Sequence, residues 1–274
     1  MINIPCKTTP PLTRASIGTL NSRHLPPFSR TTVSGLNRPG NGAAGTGGAG
    51  SPVRPAPAAP DARFQSGTVP VQSPAGGYGT PLPDIPVPPL RHPLRKGQKT
   101  SLNTGKGRPL RIRACFGWNI RDARCDVDAS AFLVKADGRV PGDDWFVFYG
   151  QERSPDGSVV LSRDGRGGDR ETITADLGRL SSEIQKIVFV VSIHEAFERK
   201  LNFSMLRDTY VRLLDADSGE ELLSYCLEEY YQNVTSMTLG ELYLHNGQWK
   251  FNPVGNGVNR DLAGQCAVYG VAIA

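Results

Sequence analysis

The chain has 274 residues, with 31 basic and 26 acidic side chains, 22 prolines and 31 glycines. This length allows one domain of ordinary size and a sizeable additional segment. No apolar run approaches the roughly 18 residues that a membrane-spanning helix needs, and the N-terminus lacks the apolar stretch of a secretory signal. Five scattered cysteines without a C-x-x-C pair indicate reduced thiols, so we expect a cytoplasmic protein without a transmembrane segment.

Residues 1–92 differ in composition from the rest of the chain. They hold most of the prolines, and eight Lys or Arg against two acids give them a net charge of +6. The 23 basic and 24 acidic side chains of residues 93–274 leave that part at −1. A segment so poor in large apolar side chains cannot offset the entropy lost on ordering. We therefore predict a disordered, basic, Pro/Gly-rich tail over 1–92 and a folded domain over 93–274.

The folded part is predicted to be mainly β. Residues 110–116 alternate apolar and polar side chains, as a half-buried strand does. The run Ile187–Ile193 is almost entirely β-branched or aromatic, which is typical of a central strand buried on both faces. Asn246-Gly247, between two apolar segments, is a strong hairpin signal. The predicted strands are 110–116, 129–134, 145–148, 158–161, 171–177, 187–193, 210–214, 221–225, 237–244 and 249–251.

Few helices are predicted. Single turns are expected at 180–185 and 202–206, and a C-terminal helix over 261–269 would begin at the capping residue Asp261 and stop at Gly270. Short strands separated by turn residues, without an alternating strand–helix rhythm, favour a β-sandwich over a parallel doubly wound sheet.

Acidic and hydroxyl side chains are concentrated between residues 126 and 171. Alternation along a strand would place Asp126, Asp128 and Ser130 on one face, about 6–7 Å apart in successive pairs. Like charges at that spacing repel, and a calcium ion, which takes six to eight oxygen ligands, would relieve the repulsion. Caps on turn N–H groups are the alternative role for such aspartates. The predicted metal ligands are Asp126, Asp128, Ser130, Asp156, Asp164, Asp169 and Glu171.

Several stretches of the folded part occur in the order of a known family. They are Asp126–Leu133, Ser154–Val159, Gly168–Glu171, Lys186–Val191 and Gly240–Tyr243. These stretches resemble the TerD family, the calcium-binding tellurite-resistance and stress proteins of bacteria, over about residues 93–274. The resemblance implies a β-sandwich that binds Ca²⁺ through acidic loops and is not known as an enzyme. It also implies a role as a binding module among other stress and tellurite-resistance proteins, including membrane-associated ones.

The resemblance also implies the metal-binding role of particular acids. Six of the predicted ligands fall where the acids of the family lie: Asp126, Asp128, Asp156, Asp164, Asp169 and Glu171. Arg170, however, stands where the family carries a second Asp, and Arg163 and Arg166 lie in the same short loop. Guanidiniums close to a dication are unfavourable unless they face solvent or pair with acids. We therefore expect weaker calcium binding than is usual in the family.

Two alternatives to calcium binding stay open. The same three arginines, set among glycines, favour a metal-free site for phosphate or another anion. Alternatively, the domain is a scaffold whose Pro-rich tail binds partners, because Pro86–Pro89 has the P-x-x-P spacing that docks into aromatic grooves. The positive charge of the tail favours weak contacts with anionic partners, and no specific nucleic acid is predicted. No set of nucleophile and base has a recognisable context, so no enzymatic activity is predicted.

Overall fold

The computed structural model describes residues 83–102, 111–163, 165 and 167–272. Of the disordered tail predicted over 1–92, residues 1–82 lie outside these ranges and residues 83–92 lie within them. Within the described ranges, the strands form two antiparallel sheets, which confirms the mainly β prediction. The strands are β1 (Thr100–Ser101), β2 (Arg111–Ile120), β3 (Val127–Val134), β4 (Phe146–Val147), β5 (Val159–Ser162), β6 (Glu171–Asp176), β7 (Lys186–Ile193), β8 (Leu206–Asp215), β9 (Glu221–Cys226), β10 (Ser236–His245) and β11 (Gln248–Val258).

The two sheets pack face to face around one main core. The six-stranded sheet has the order β1-β11-β10-β7-β3-β4, and the five-stranded sheet has the order β5-β6-β2-β8-β9. Phe116 of β2 meets Phe189 of β7 across the core edge to face, with ring centroids 5.5 Å apart. Inward-facing side chains thus alternate with outward-facing ones along β2, as the sequence pattern predicts.

Strand β7 is buried on both faces, as its β-branched sequence predicts. Phe189 and Val191 belong to the main core, whereas Val188 and Val190 pack in a second apolar cluster on the outer face of the six-stranded sheet. That cluster includes Leu262 of a C-terminal helix, so the helix covers the outer face of the central strands.

The helices are few and short. They are α1 (Ala196–Arg199) and α2 (Leu262–Tyr269), with 3₁₀ turns at Asp143–Trp145 and Phe203–Met205. Helix α2 begins and ends as predicted, because the Asp261 carboxylate accepts from the Gly264 N–H at 2.7 Å and Gly270 is left-handed with φ 81°. No helix in the described ranges is long and apolar enough to cross a membrane.

Some local predictions differ from the structure. Strand β11 runs over Gln248–Val258 instead of 249–251, and helix α1 has no predicted counterpart. The strand predicted over 145–148 is shorter, because its first residue ends a 3₁₀ turn. The hairpin at Asn246-Gly247 is confirmed, and both residues have the positive φ angles, 50° and 72°, that such a turn requires.

The N-terminal described segment lies along one side of the sandwich. Ser224 of β9 donates its N–H to the His92 carbonyl at 2.9 Å and accepts from the Leu94 N–H at 2.8 Å. Strand β1 then pairs with β11 in the other sheet. The segment thereby covers one edge of each sheet, which removes unpaired backbone groups from solvent. Contacts of the domain thus extend upstream of residue 93, the predicted domain boundary.

We expect Phe189→Ala to lower the free energy of unfolding by about 3–5 kcal/mol, because it empties a fully buried position between the sheets. Phe197→Ala is the matched control. Its side chain on α1 is 46% exposed, so its loss should cost about 0.5 kcal/mol or less. Urea denaturation measures both values. Equal losses for the two variants would contradict the packing described for the core.

Candidate functional site

A cleft with a volume of about 270 Å³ opens at one edge of the sandwich. We name it the carboxylate cleft; its lining residues are Asp126, Asp128, Tyr149, Arg163 and His194. They come from the start of β3 and from the segments that follow β4, β5 and β7. A backbone hydrogen bond of 2.8 Å from the His194 N–H to the Asp126 carbonyl joins two of these segments.

Asp126 and Asp128 both face this cleft, as their alternation predicts. The Asp126 side chain is exposed, whereas Asp128 is half-buried. Burial, together with the negative charge of Asp126, raises the pKa of the Asp128 carboxyl from 3.8 to about 6. The charges of His194 and Arg163 act in the opposite direction but do not cancel this rise. The pair therefore carries more negative charge than its surroundings compensate.

Glu171 approaches the same place from the opposite sheet. It is the first residue of β6 and is only 6% exposed. Its Oε2 accepts the Ala129 N–H at 2.6 Å, on the edge of β3. Burial is the main cause that raises the pKa of the Glu171 carboxyl from 4.5 to about 7, and the charges of Asp128 and Asp126 add to it. Three of the predicted ligands are thus electrostatically coupled across the two sheets.

Arg163 is a cation that acts on both Asp128 and Glu171, whereas His194 acts on Asp128. Arg163 lowers the pKa of both Asp128 and Glu171 by its positive charge. Its side chain is 52% exposed and its Nη2 lies 3.3 Å from Glu152 Oε1. An exposed guanidinium shared with another carboxylate compensates a buried acid only weakly, which agrees with the raised pKa values.

Ser130 and Asp156 form hydrogen bonds with residues that do not line the cleft. Ser130 is buried, and its Oγ donates to the Val190 carbonyl at 3.4 Å. Asp156 accepts from the Ser158 N–H at 2.9 Å, from the hydroxyls of Ser154 and Ser158 at 2.7 Å, and from the Ser181 N–H at 3.0 Å. Burial acts to raise the pKa of Asp156, but these hydrogen bonds prevail and lower it. Asp156 therefore stabilises a turn, which is the alternative role that the sequence left open.

Asp169 forms a buried ion pair away from the cleft. Its carboxylate accepts from Arg212 Nε at 3.0 Å and from Arg212 Nη2 at 2.7 Å, and the Tyr210 hydroxyl donates to it at 3.0 Å. In β8, Val211 and Leu213 face the core, so Tyr210 and Arg212 face the outer side of the sheet. Asp169 and Glu171 thus serve opposite faces of the same sheet. Asp164 lies outside the described residues.

The described residues contain no group of three or more His, Cys, Asp or Glu side chains arranged to hold a metal ion. The sequence-based calcium site therefore stays a prediction. The donor chemistry of the cleft nevertheless suits a hard cation, because Asp126 and Asp128 offer carboxylate oxygens there.

The arginines of the predicted anion site do not converge in the described part of the chain. Arg170 donates through Nε to the Trp118 carbonyl at 2.9 Å and is half-buried. Arg163 faces the carboxyls of the cleft, and Arg166 lies outside the described residues. The geometry thus gives no support to a shared anion site of these three side chains.

Tyr149 and His194 line the cleft, although the sequence did not assign them to it. Burial, followed by the charges of Asp128 and Asp126, raises the pKa of the Tyr149 phenol, so it stays protonated. His194 Nε2 lies 3.6 Å from Oε1 of the neighbouring Glu195. The sequence predicts that the buried strand ends at Ile193, directly before His194, but no local pattern relates His194 to acids more than 60 residues earlier.

Comparison with known proteins shows the family of this chain. The TerD domain matches residues 90–269. Tellurium resistance protein TerD of Serratia marcescens is 40% identical over 185 residues, which cover 65% of this chain and 96% of that protein. General stress protein 16U of Bacillus subtilis (strain 168) is 36% identical over 188 residues, which cover 66% and 97%.

A solved structure of a homologue of telluride resistance protein (TerD) from Streptomyces coelicolor A3(2) is also similar. It is 24% identical, covers 56% of this chain and 92% of its own, and has a TM-score of 0.44. The match of the TerD domain over residues 90–269, together with the relatives from Serratia marcescens and Bacillus subtilis, shows that the chain belongs to the TerD domain family.

Proposed function

We propose that this chain is a stress-response or tellurium-resistance module that binds calcium at the carboxylate cleft and uses the bound ion to shape a surface for other resistance proteins. The names of the relatives support the biological role. The observation that supports the calcium assignment is that Asp126 and Asp128 line one cleft, while their negative charges also act on Glu171 of the opposite sheet.

Calcium is the cation that suits these donors best. It accepts carboxylate, carbonyl and water oxygens in a flexible arrangement, whereas magnesium demands near-ideal octahedral geometry and keeps most of its waters. Asp126, Asp128 and Glu171 would hold the ion, which would supply the positive charge that the carboxyls lack. Because the described residues form no ready-made cage, the proposed site is weak and partly hydrated.

The ion would also join the two sheets at this edge. Asp126 and Asp128 belong to the start of β3, and Glu171 begins β6 in the other sheet. A cation shared between them would restrain both strands and the segments of Tyr149 and His194 that line the cleft. Such a restraint is how calcium would change the surface offered to a partner.

The thiols of the described residues support a binding role over thiol chemistry. Burial raises the pKa of Cys115 and Cys266 to about 12 and that of Cys125 to about 11. The thiolate is the reactive form of cysteine, so these residues are poor nucleophiles and poor reductants at neutral pH. Direct reduction of a toxic oxyanion by these three thiols is therefore disfavoured.

We expect calcium to raise the melting temperature of the full chain, with about 2.7 kcal/mol of added stability when free calcium is 100 times the dissociation constant. The double variant Asp126→Asn/Asp128→Asn should lose this response. Asp137→Asn is the matched control, because Asp137 is an exposed turn residue that pairs with Lys135 outside the cleft. Differential scanning fluorimetry with calcium, and then with excess chelator, measures the effect.

An unchanged melting temperature of the wild-type chain under calcium and chelator would contradict the calcium assignment. Inorganic phosphate should give no stabilisation. A rise with phosphate, and none with calcium, would favour the alternative of an anion site.

We expect Arg163→Gln to bind calcium more tightly, by roughly three- to tenfold, because it removes a positive charge that competes for Asp128 and Glu171. Arg179→Gln is the matched control, since Arg179 is an exposed arginine whose Nη2 contacts the Asp156 carbonyl outside the cleft. Isothermal titration calorimetry at low ionic strength measures both affinities. Weaker binding in the Arg163 variant would contradict a competing role for this side chain.

We expect the metal-free chain to lose stability as the pH rises from 5 to 8. The pKa values of Asp128 and Glu171 in the folded protein, about 6 and about 7, lie above the ordinary 3.8 and 4.5. The folded state therefore binds more protons than the unfolded state in this window, and the free energy of unfolding falls as these protons leave. Calcium should correspondingly bind more strongly at pH 8 than at pH 5.

Urea denaturation in chelator at several pH values measures this slope. Asp128→Asn/Glu171→Gln should flatten it. Asp137→Asn should leave it unchanged, because hydrogen bonding to the Arg139 N–H lowers the pKa of Asp137 below the window. An identical slope in the wild-type chain and in the double variant would show that these two carboxyls are not the cause.

A further inference from the structure

Residues 84–92, which we call the strap, bind along the five-stranded sheet through several polar contacts. Asn119 of β2 forms two hydrogen bonds to one strap residue: the Ile85 N–H donates to Asn119 Oδ1 at 2.9 Å, and Asn119 Nδ2 donates to the Ile85 carbonyl at 3.0 Å. Asn119 is almost fully buried. Its amide thus satisfies both backbone groups of Ile85, as a neighbouring strand would.

The two ends of the strap are bound by charged side chains. Asp84 pairs with Arg207 of β8. At the other end, Glu221 Oε1 of β9 accepts the N–H groups of Arg91 at 2.8 Å and His92 at 3.0 Å. A carboxylate that accepts two backbone N–H groups forms strong, directional contacts. Residues of three neighbouring strands, β2, β8 and β9, therefore hold the strap.

The middle of the strap lies on the turn that precedes β6. Pro88 is buried, although Pro86 and Val87 beside it are exposed. A Cβ atom built on Gly168 would lie 2.5 Å from the Pro86 carbonyl oxygen and 3.1 Å from Pro88 Cδ. Only glycine leaves room for the strap at this position, where φ is +98°.

The turn under the strap leads directly to the carboxylate cleft. The Gly168 carbonyl accepts from the Tyr210 hydroxyl at 3.0 Å, and the next residue, Asp169, pairs with Arg212. The Arg170 N–H then donates to the Phe116 carbonyl at 2.7 Å. Glu171 follows and reaches the Ala129 N–H. The turn therefore contacts the strap on its outer side and strands β2 and β8 on its inner side.

We propose that docking of the strap positions the Gly167–Arg170 turn, and through it Glu171, so that strap docking and cation binding in the carboxylate cleft favour each other. Thermodynamic linkage requires the effect to be reciprocal. Most of the strap precedes residues 90–269, which the TerD domain matches. Its effect on calcium rests on the proposed function, whereas its effect on Glu171 does not.

The chain offers a matched pair of variants in one turn. Gly168→Ala places a methyl group against Pro86 and Pro88, which displaces the strap. Gly167→Ala introduces a side chain at another positive φ, +62°, with no atom within 4 Å, so it strains the turn but does not touch the strap. Asn119→Ala removes the two hydrogen bonds to Ile85, together with one to Asp208 Oδ2 at 3.0 Å, and leaves the sequence of the turn unchanged.

Hydrogen–deuterium exchange of the full chain measures strap docking and the position of Glu171 separately. The amides of Ile85, Arg91 and His92 report docking of the strap, and the Ala129 amide, which donates to Glu171, reports the position of that carboxyl. We expect Gly168→Ala and Asn119→Ala to speed exchange at both groups of amides, and Gly167→Ala, which strains the turn without displacing the strap, to leave the strap amides near the wild-type rate. Calcium affinity, measured by calorimetry, should fall about fivefold or more in the first two variants only.

The outcomes separate the proposals. Unchanged exchange of the strap amides in both displacing variants would show that the strap does not depend on these contacts. Fast strap exchange with an unchanged Ala129 amide would overturn the coupling. If the wild-type chain binds no calcium, the proposed function fails, and the Ala129 amide still decides whether the strap positions Glu171.

Discussion

The hydrogen bond from the Ala129 N–H to Glu171 Oε2 is the contact on which the cleft depends. Strand β4 pairs with β3 only at Ala131 and Phe132, so no strand of the described residues flanks the start of β3 on the side opposite β7. A buried N–H without a partner would cost about 1–3 kcal/mol. The carboxylate from the opposite sheet supplies the partner, and the same contact brings it into the electrostatic field of Asp128.

The buried Glu171 carboxylate adds negative charge near Asp126 and Asp128. Protons, Arg163 and a divalent cation can each reduce this excess negative charge. Protons do so at the elevated pKa values of Asp128 and Glu171. Arg163 does so within the chain, at the limited strength of an exposed guanidinium shared with Glu152. A divalent cation would do so most effectively, because it carries twice the charge and accepts several oxygens at once. Competition among the three would make cation binding depend on pH and on Arg163.

Other acids of the same segment have structural tasks. Asp169 compensates Arg212 on the outer face of the five-stranded sheet, and Asp156 stabilises a turn by accepting hydrogen bonds from Ser154, Ser158 and Ser181. The Asp169 ion pair also fixes the turn that the strap covers. The same acidic segment thus contains both the carboxylates of the candidate binding site and the carboxylates that stabilise the neighbouring turns.

Sequence alone determined the strand pattern, the hairpin at Asn246-Gly247 and the capped C-terminal helix, because alternation of side chains, turn residues and capping are local properties. It also identified the acidic segment, and the alternation that places Asp126 and Asp128 in one cleft. Only the tertiary structure decided which acids interact. Glu171 contacts the edge of β3 and is electrostatically coupled to Asp128, whereas Asp169, two residues earlier, pairs with Arg212 on the outer face of the five-stranded sheet. The strap, Tyr149 and His194 likewise depend on contacts between distant segments, which no local pattern encodes.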